Sequence, residues 1–402
     1  MSKLPPFIST KNRFSELDLL LELCNPPSEL ARQEIHLDTT PTWDWKRFVV
    51  MANRHGYLSP LCNQLASYPS SPIPPNVQSK ITKSYKQQSM RAMKLLRTLH
   101  NVSDIFDQHC IRFLAIKGPV LSQQIHGSSI YRRSLDLDFL ISQEDVRKVD
   151  KILRTKGFIR LHPKADLSNL QQKIFMARDN VACYEFASTR IEIHWRLFEN
   201  PNYLDIAFDE LWHKRTVIAL TGKVLPTLGH SDNLLYLLAH GAKHFWIYLK
   251  WMDDIVAFSK IIPSDDYNEA VRLARKYDLS DVMFSSLDFI RTFYGKELKI
   301  STPPSAPRSK RYRRLISAFR CSFCESSQLG KEVSPRWART LIFLRQFHLK
   351  STFSYRMRLT LRWLINFEDL SELQLPSALF PLYIFLRPVF WLKRFIKGKT
   401  DG

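Results

Sequence analysis

The sequence predicts an α+β protein: a small mixed β-sheet with flanking helices, embedded in mostly helical N- and C-terminal regions. Three observations lead there. Residues 13 to 100 space their apolar side chains as helices do, the chain breaks from residue 111 into short apolar segments with period-two alternation, and helical spacing returns from residue 232. The expected division is a helical region over 1–100, the sheet domain over 101–222, a helical region packing on it over 223–300 and a basic helical region over 301–402. With 402 residues and 45% apolar content, the chain is long enough for several such units around a real core.

The elements follow in order. FSELDLLLELC and TWDWKRFVVMANRHGYLSPLCNQL read as helices, separated by turn formers around Pro26-Pro27 and Pro41. SYPSSPIPP, residues 67 to 75, reads as a proline-rich loop, and residues 77 to 108 as one amphipathic helix. IRFLAI is a short buried strand, KGPVLSQQIHG a turn and helix, and LDLDFLI a strand. Ser142 to Lys156 is a helix with Ser142 as its N-cap and Gly157 as its stop. FIRLH, VACYEF and RIEIHWRLF are further strands bounded by polar turns. Residues 232 to 260 form a long amphipathic helix or a closely spaced pair, and the remainder reads as helical. No internal repeat or low-complexity tract interrupts this order.

Lysine and arginine total 59 against 38 acids, a net charge of +21. Such a balance favours a polyanionic partner: nucleotide phosphates, RNA or an acidic membrane surface. The six cysteines are scattered in mostly apolar surroundings and resemble buried thiols of a reducing compartment, which makes a cytoplasmic location the expectation. MSKLPPFISTKNRF lacks an apolar signal region, and no run of about 18 apolar residues occurs, so neither a signal peptide nor a membrane span is expected. Neither a GxxxxGK[ST] loop nor a G-x-S-x-G elbow is present, leaving P-loop and hydrolase readings without support.

The chemistry centres on YRRSLDLDFLI, residues 131 to 141. A strand turns alternate side chains to opposite faces, so Asp136 and Asp138 share one face and Leu135, Leu137 and Phe139 take the other. Two carboxylates roughly 6 to 7 Å apart along a strand either hold a cation or are simply solvated. RIEIHWRLF repeats the pattern, with Glu192 and His194 opposite Ile191, Ile193 and Trp195. If the two strands are neighbours, Glu192 supplies a third carboxylate, the donor set that two Mg²⁺ ions need for phosphoryl or nucleotidyl transfer. Lys117-Gly118 sits where a buried strand turns into a helix, a place where backbone N–H groups can face a phosphate.

Other residues have two readings each. His194 ligates metal or orients Glu192, or is a hydrogen-bonded structural residue, which is the favoured reading. Arg132 and Arg133 clamp phosphates or are solvated. Lys243 and Lys250 are seven apart, hence on one helix face, and either lean over the sheet toward a triphosphate, with Asp254 fixing the helix, or form an ordinary basic face. His240 and His244 have zinc-ligand spacing but no glutamate after His240 and no evident third ligand. Cys321-x-x-Cys324 lacks a second pair. Residues 379 to 399, LFPLYIFLRPVFWLKRFIKGK, are dense in apolar and aromatic residues but broken by Arg387-Pro388. That segment either packs on the helical body or makes a peripheral membrane contact, with Arg387, Lys393, Arg394 and Lys397 toward headgroups.

Together these segments resemble the uncharacterised nucleotidyltransferase family of the DNA-polymerase-β-like superfamily. The residues concerned are the turn Lys117-Gly118, Arg132, the strand Asp136-Leu137-Asp138-Phe139-Leu140-Ile141 and the strand Ile191-Glu192-Ile193-His194-Trp195. His240 to His244 and Leu249-Lys250-Trp251 through Asp254 also belong to the pattern, and WDWKRFVVMANRHGYLSPL and PLYIFLRP extend it along nearly the whole chain. The resemblance implies a nucleotidyltransferase palm and an Mg²⁺-dependent enzyme that moves an NMP group from an NTP to a hydroxyl or phosphate acceptor, releasing pyrophosphate. Under it, Asp136, Asp138 and Glu192 are catalytic metal ligands, and Lys117, Gly118, Arg132, Lys243 and Lys250 bind the nucleotide. One departure stands out: the superfamily usually has Gly-Ser or Gly-Gly in the phosphate turn, and this chain has Gly118-Pro119, which leaves Lys117 to substitute for the serine contact. An alternative from another class keeps the fold without catalysis, as a module binding RNA, an anionic polymer or a membrane-associated assembly. Gly118-Pro119 and the cluster Arg308, Lys310, Arg311, Arg313 and Arg314 motivate it.

Overall fold

Apolar side chains recurring every three or four residues build helices α1 (Glu16–Cys24), α2 (Trp45–His55), α3 (Leu58–Ser67) and the long α4 (Pro75–Gln108). Asp44 caps α2 by accepting the Arg47 N–H at 3.0 Å. Gly56 ends that helix at φ +79°, a left-handed geometry that side chains resist. Pro75 opens α4 at a position where a missing N–H is tolerated. The structure is a computed structural model that describes residues 16–24, 43–67, 73–164, 166–294, 298–300, 308–328 and 336–364, with positions 379, 382, 383, 385, 386 and 389.

The sheet domain runs β1 (Phe113–Ala115), α5 (Gly118–His126), β2 (Asp136–Ile141), α6 (Val146–Thr155), β3 (Ile159–His162), α7 (Asn169–Arg178), β4 (Val181–Phe186) and β5 (Thr189–His194). Strand order is β1-β2-β5-β4-β3, with β2 and β5 parallel and the other pairs antiparallel. Period-two alternation sorts the two faces. Leu137, Phe139, Ile191 and Ile193 join Leu99, Val102 and Phe106 of α4 in one buried cluster, where Phe106 and Phe139 meet edge to face at 5.5 Å. The opposite face carries Asp136 and Asp138 and continues into Leu140, which is buried in the larger core of the helical regions. Ser142 caps a short 3₁₀ turn over Gln143–Asp145 rather than α6 itself, which begins at Val146.

After α8 (Phe208–His213), residues 216–227 form a hairpin, β6 (Thr216–Leu220) and β7 (Lys223–Thr227), that the sequence pattern did not disclose. Its two-residue turn, Thr221-Gly222, has positive φ at both positions, as the twist of a tight hairpin requires. The boundary expected between residues 222 and 223 falls inside this turn. Thr227 Oγ1 donates to the Ala115 carbonyl at 2.7 Å, tying the hairpin to β1.

The rest is helical: α9 (His230–Lys243), α10 (Leu249–Phe258), α11 (Ser264–Lys276), α12 (Ser280–Tyr294), α13 (Lys310–Gln328), α14 (Arg336–Arg345) and α15 (Phe353–Leu364). Residues 232–260 are thus two helices joined by an elbow in which Phe245 and Trp246 adopt φ of +53° and +55°. Both side chains are fully buried, and Gly241 makes room, because a Cβ there would lie 2.3 Å from the Trp246 ring. The expectation that Lys243 and Lys250 share one helix face is therefore corrected: they stand on opposite sides of the elbow.

Of the six cysteines only Cys183 is buried, while Cys110, Cys321 and Cys324 are exposed, so the expectation of buried thiols does not hold in general. Among the described residues no helix is long and apolar enough to cross a membrane. The C-terminal segment 379–399 lies outside the described residues except at six positions, and the loop 67–75 is described only at its ends.

Candidate active site

The parallel pairing of β2 with β5 sets Asp138 directly opposite Glu192. Neighbouring strands lie about 4.8 Å apart, so the two carboxylates meet side by side on the face that Asp136 also occupies. His194, two residues further on, joins them. Its Nε2 lies 3.2 Å from Asp138 Oδ1 and 3.5 Å from Glu192 Oε2, and donor atoms of the three residues all lie within 4.8 Å of one another. Asn180 Nδ2 approaches the other ring nitrogen at 3.3 Å. The sequence placed His194 on the correct face but favoured a structural role. The period-two rule that selected Glu192 selects His194 as well.

Charge is unevenly distributed over this cluster. Burial, Asp138 and Glu192 push the Asp136 carboxyl up to about 6. Burial also opposes ionisation of Asp138, but Lys117, the His194 hydrogen bond and Arg132 outweigh it and hold that carboxyl below the usual range. Glu192 is likewise held low against burial by His194 and by Arg190, whose Nε donates to Glu192 Oε1 at 3.0 Å. His194, desolvated but faced by two carboxylates, is raised to about 8. Carboxylate oxygens with one imidazole, on a face where neighbouring acids oppose one another's charge, make a donor set suited to a divalent cation of the Mg²⁺ or Mn²⁺ class.

The flanking cations come from three segments. Lys117, at the N-cap of α5, places Nζ 3.9 Å from Asp138 Oδ1 and 3.5 Å from His240 Nδ1, 5.1 Å from the centre of the Tyr236 ring. Gly118 follows at φ +61°, and the first turn of α5 starts there beside the Asp136 carbonyl. Pro119 removes one N–H from that turn at a position helices tolerate. Arg132 is buried, with Nε donating to Asp254 Oδ1 at 2.7 Å and its backbone N–H to Ser122 Oγ at 3.0 Å. Arg133 Nη1 donates to the Asn53 carbonyl at 2.9 Å, and Lys250 Nζ lies 3.4 Å from the Arg133 carbonyl. The stem of Lys250 packs against Gly56, and burial with Arg132 brings its amine down to about 7.

Lys243 is engaged elsewhere. Its Nζ lies 2.6 Å from Glu199 Oε1, and Arg362 Nη1 of α15 reaches the same oxygen at 2.5 Å. Lys243 and Arg362 hold the buried Glu199 carboxylate well below its ordinary value. Glu199 and Arg362 carry no motif that would have marked them. His240 and His244 have ring centres 4.8 Å apart, yet the one group of three metal donors among the described residues is Asp138, Glu192 and His194.

A sequence model for a family described as an uncharacterised nucleotidyltransferase matches residues 41–295, well over half of the chain and all of the carboxylate cluster. No curated protein and no solved structure matches the chain.

Proposed function

The chain belongs to this nucleotidyltransferase family, and from that premise we propose that it moves an NMP group from an NTP to a hydroxyl or phosphate acceptor and releases pyrophosphate. The observation that carries the reading is the lateral pairing of Asp138 with Glu192 on the face that bears Asp136. Those three carboxylates would hold Mg²⁺, which when bound neutralises charge developing on the departing pyrophosphate and favours in-line attack. Glu192 takes the proton of the acceptor as its oxygen bonds to the α-phosphorus, and the bond from that phosphorus to the bridging oxygen breaks, the electron pair leaving with pyrophosphate. Lys117 and the first turn of α5 at Gly118 face the β- and γ-phosphates. Arg132 and Lys250 add positive potential beside the carboxylates, and Lys243 acts through Glu199.

Calorimetric titration with each NTP in the presence of Mg²⁺ tests this, followed by incubation of the labelled NTP that binds with cell extract to find the acceptor. Binding in the wild type that collapses in Asp136→Asn with Asp138→Asn supports the proposal. NTP binding or transfer that survives that double change refutes it.

A second reading, a non-catalytic module for RNA or another anionic polymer, draws on Gly118-Pro119 and on the exposed Arg308, Lys310, Arg313 and Arg314. Arg311 is committed to Asp278 and Asp281. Such a module keeps polymer binding in the double mutant, with a steep salt dependence.

A further inference from the structure

The stretch HGAKHFWIYLKW, residues 240–251, supplies Lys243 and Lys250, and beside them it brings four flat rings, not used in the carboxylate chemistry, to the edge of that site. His240 lies 3.5 Å from Lys117 Nζ, and Lys117 lies 3.9 Å from Asp138, so one lysine links the rings to the acids. Trp251 is the hub: its ring centre is 5.3 Å from His240, 5.2 Å from His244 and 4.9 Å from Tyr248. All four rings are only partly buried, unlike the enclosed Tyr236 beneath them. The cluster exists because the chain turns sharply between α9 and α10 through two left-handed residues, Phe245 and Trp246. Left-handed backbone is costly for bulky residues and persists where the surroundings enforce it, often beside functional sites.

Both imidazoles favour the neutral form. Burial and Lys117 hold His240 well below its ordinary value, and burial with Lys243 takes His244 down to about 3. An uncharged aromatic wall is poorly suited to phosphate but well suited to an uncharged heterocycle, which it can stack on and hydrogen-bond.

We propose that His240, His244, Tyr248 and Trp251 form the subsite for the nucleobase of the donor nucleotide, with the triphosphate at Lys117 and the carboxylates. The inference rests on the nucleotidyl-transfer reading. Base stacking on an aromatic side chain is sequence-tolerant, so Trp251 would fix the base while the imidazoles choose among bases.

The test is calorimetric titration of the full chain, with Ca²⁺ present to limit turnover, using NTP and inorganic tripolyphosphate as separate ligands. Trp251→Ala should weaken NTP binding about 10- to 100-fold and leave tripolyphosphate binding about unchanged, and Trp251→Phe should restore most of the NTP affinity. Should Trp251→Ala unfold by circular dichroism, Trp251→Leu, which keeps apolar bulk without a ring face, takes its place with the same expectation. Unchanged NTP affinity in the folded variant overturns the subsite, as does equal loss of both ligands. A wild type that binds tripolyphosphate as tightly as NTP also overturns it while sparing the transfer reading. A wild type that binds neither ligand removes the transfer reading and the subsite together.

Discussion

Arg132 and Asp254 form a buried ion pair, Nε to Oδ1 at 2.7 Å, with side chains 6% and 2% exposed. Arg132 opens the loop into β2 and Asp254 sits on α10, so this contact ties the carboxylate strand to the helix that carries Lys250 and Trp251. Removing one partner leaves a buried charge uncompensated. Asp254→Ala should cost about 3 to 5 kcal/mol of stability, read as a lowered urea midpoint. Arg132→Met with Asp254→Leu should recover much of that loss but not NTP binding, and failure of the double variant to regain stability would contradict this account.

Asp136 and Asp138 should differ in what their neutralisation does. In chelator, Asp136→Asn should raise thermal stability near pH 8, because its carboxyl, pushed up to about 6 by burial and by its acidic neighbours, is ionised there at a cost. Asp138→Asn should lower stability, because Lys117 and His194 favour the charge it removes. Both variants should lose NMP transfer. Differential scanning with and without Mg²⁺ reads the contrast, and equal shifts for the two variants would refute it.

Glu192→Gln preserves shape and should reduce both divalent-cation affinity and transfer rate, the latter by at least about 100-fold if it accepts the acceptor proton. An unchanged rate at saturating cation would return Glu192 to a structural role as the partner of Arg190.

Acid should destabilise the fold through two histidines whose charging the fold opposes, the buried His55 and the partly buried His244. His55, desolvated beside Arg54, and His244 each fall to about 3 from an ordinary 6.5. Above pH 6.5 both folded and unfolded chains hold these rings neutral, and stability from them is fully present. As pH falls from 6.5 toward 3 the unfolded chain binds protons that the folded chain refuses, at about 1.4 kcal/mol per pH unit per histidine. Urea midpoints from pH 7.5 to 5 should therefore fall less steeply in His55→Gln than in the wild type. Parallel profiles would show that His55 is charged in the fold.

Much of this site was legible in the sequence because strand alternation is a local property. Asp136, Asp138, Glu192 and His194 stand out from apolar neighbours at period two, and the Lys117-Gly118 turn precedes them in order. What escaped was set by distant packing. Lys243 finds Glu199, 44 residues earlier in the chain, and no local pattern reports that. A closely spaced helix pair was one reading of residues 232–260, but the α9–α10 elbow could not be located because Phe245 and Trp246 have no preference for left-handed backbone; burial of both rings and the Trp246 Nε1 bond to Ser286 Oγ hold them there. The hairpin at 216–227 was missed because Thr-Gly is a weaker turn signal than Asn-Gly or Asp-Gly.

The shared grip of Lys243 and Arg362 on Glu199 bears on where the molecule can be cut. Arg362 lies beyond residue 295, where the family match ends, and it is not alone. Asn200 Nδ2 donates to the Tyr355 carbonyl at 3.0 Å, and Lys350 Nζ to the Asn202 carbonyl at 2.7 Å. A fragment trimmed to residues 41–295 would keep every carboxylate of the site while losing half the counter-charge of Glu199 and the covering of the 199–202 turn. Homology thus marks a portion of the chain that keeps the chemical groups of the site but loses these three contacts, and an expression fragment should extend through α15.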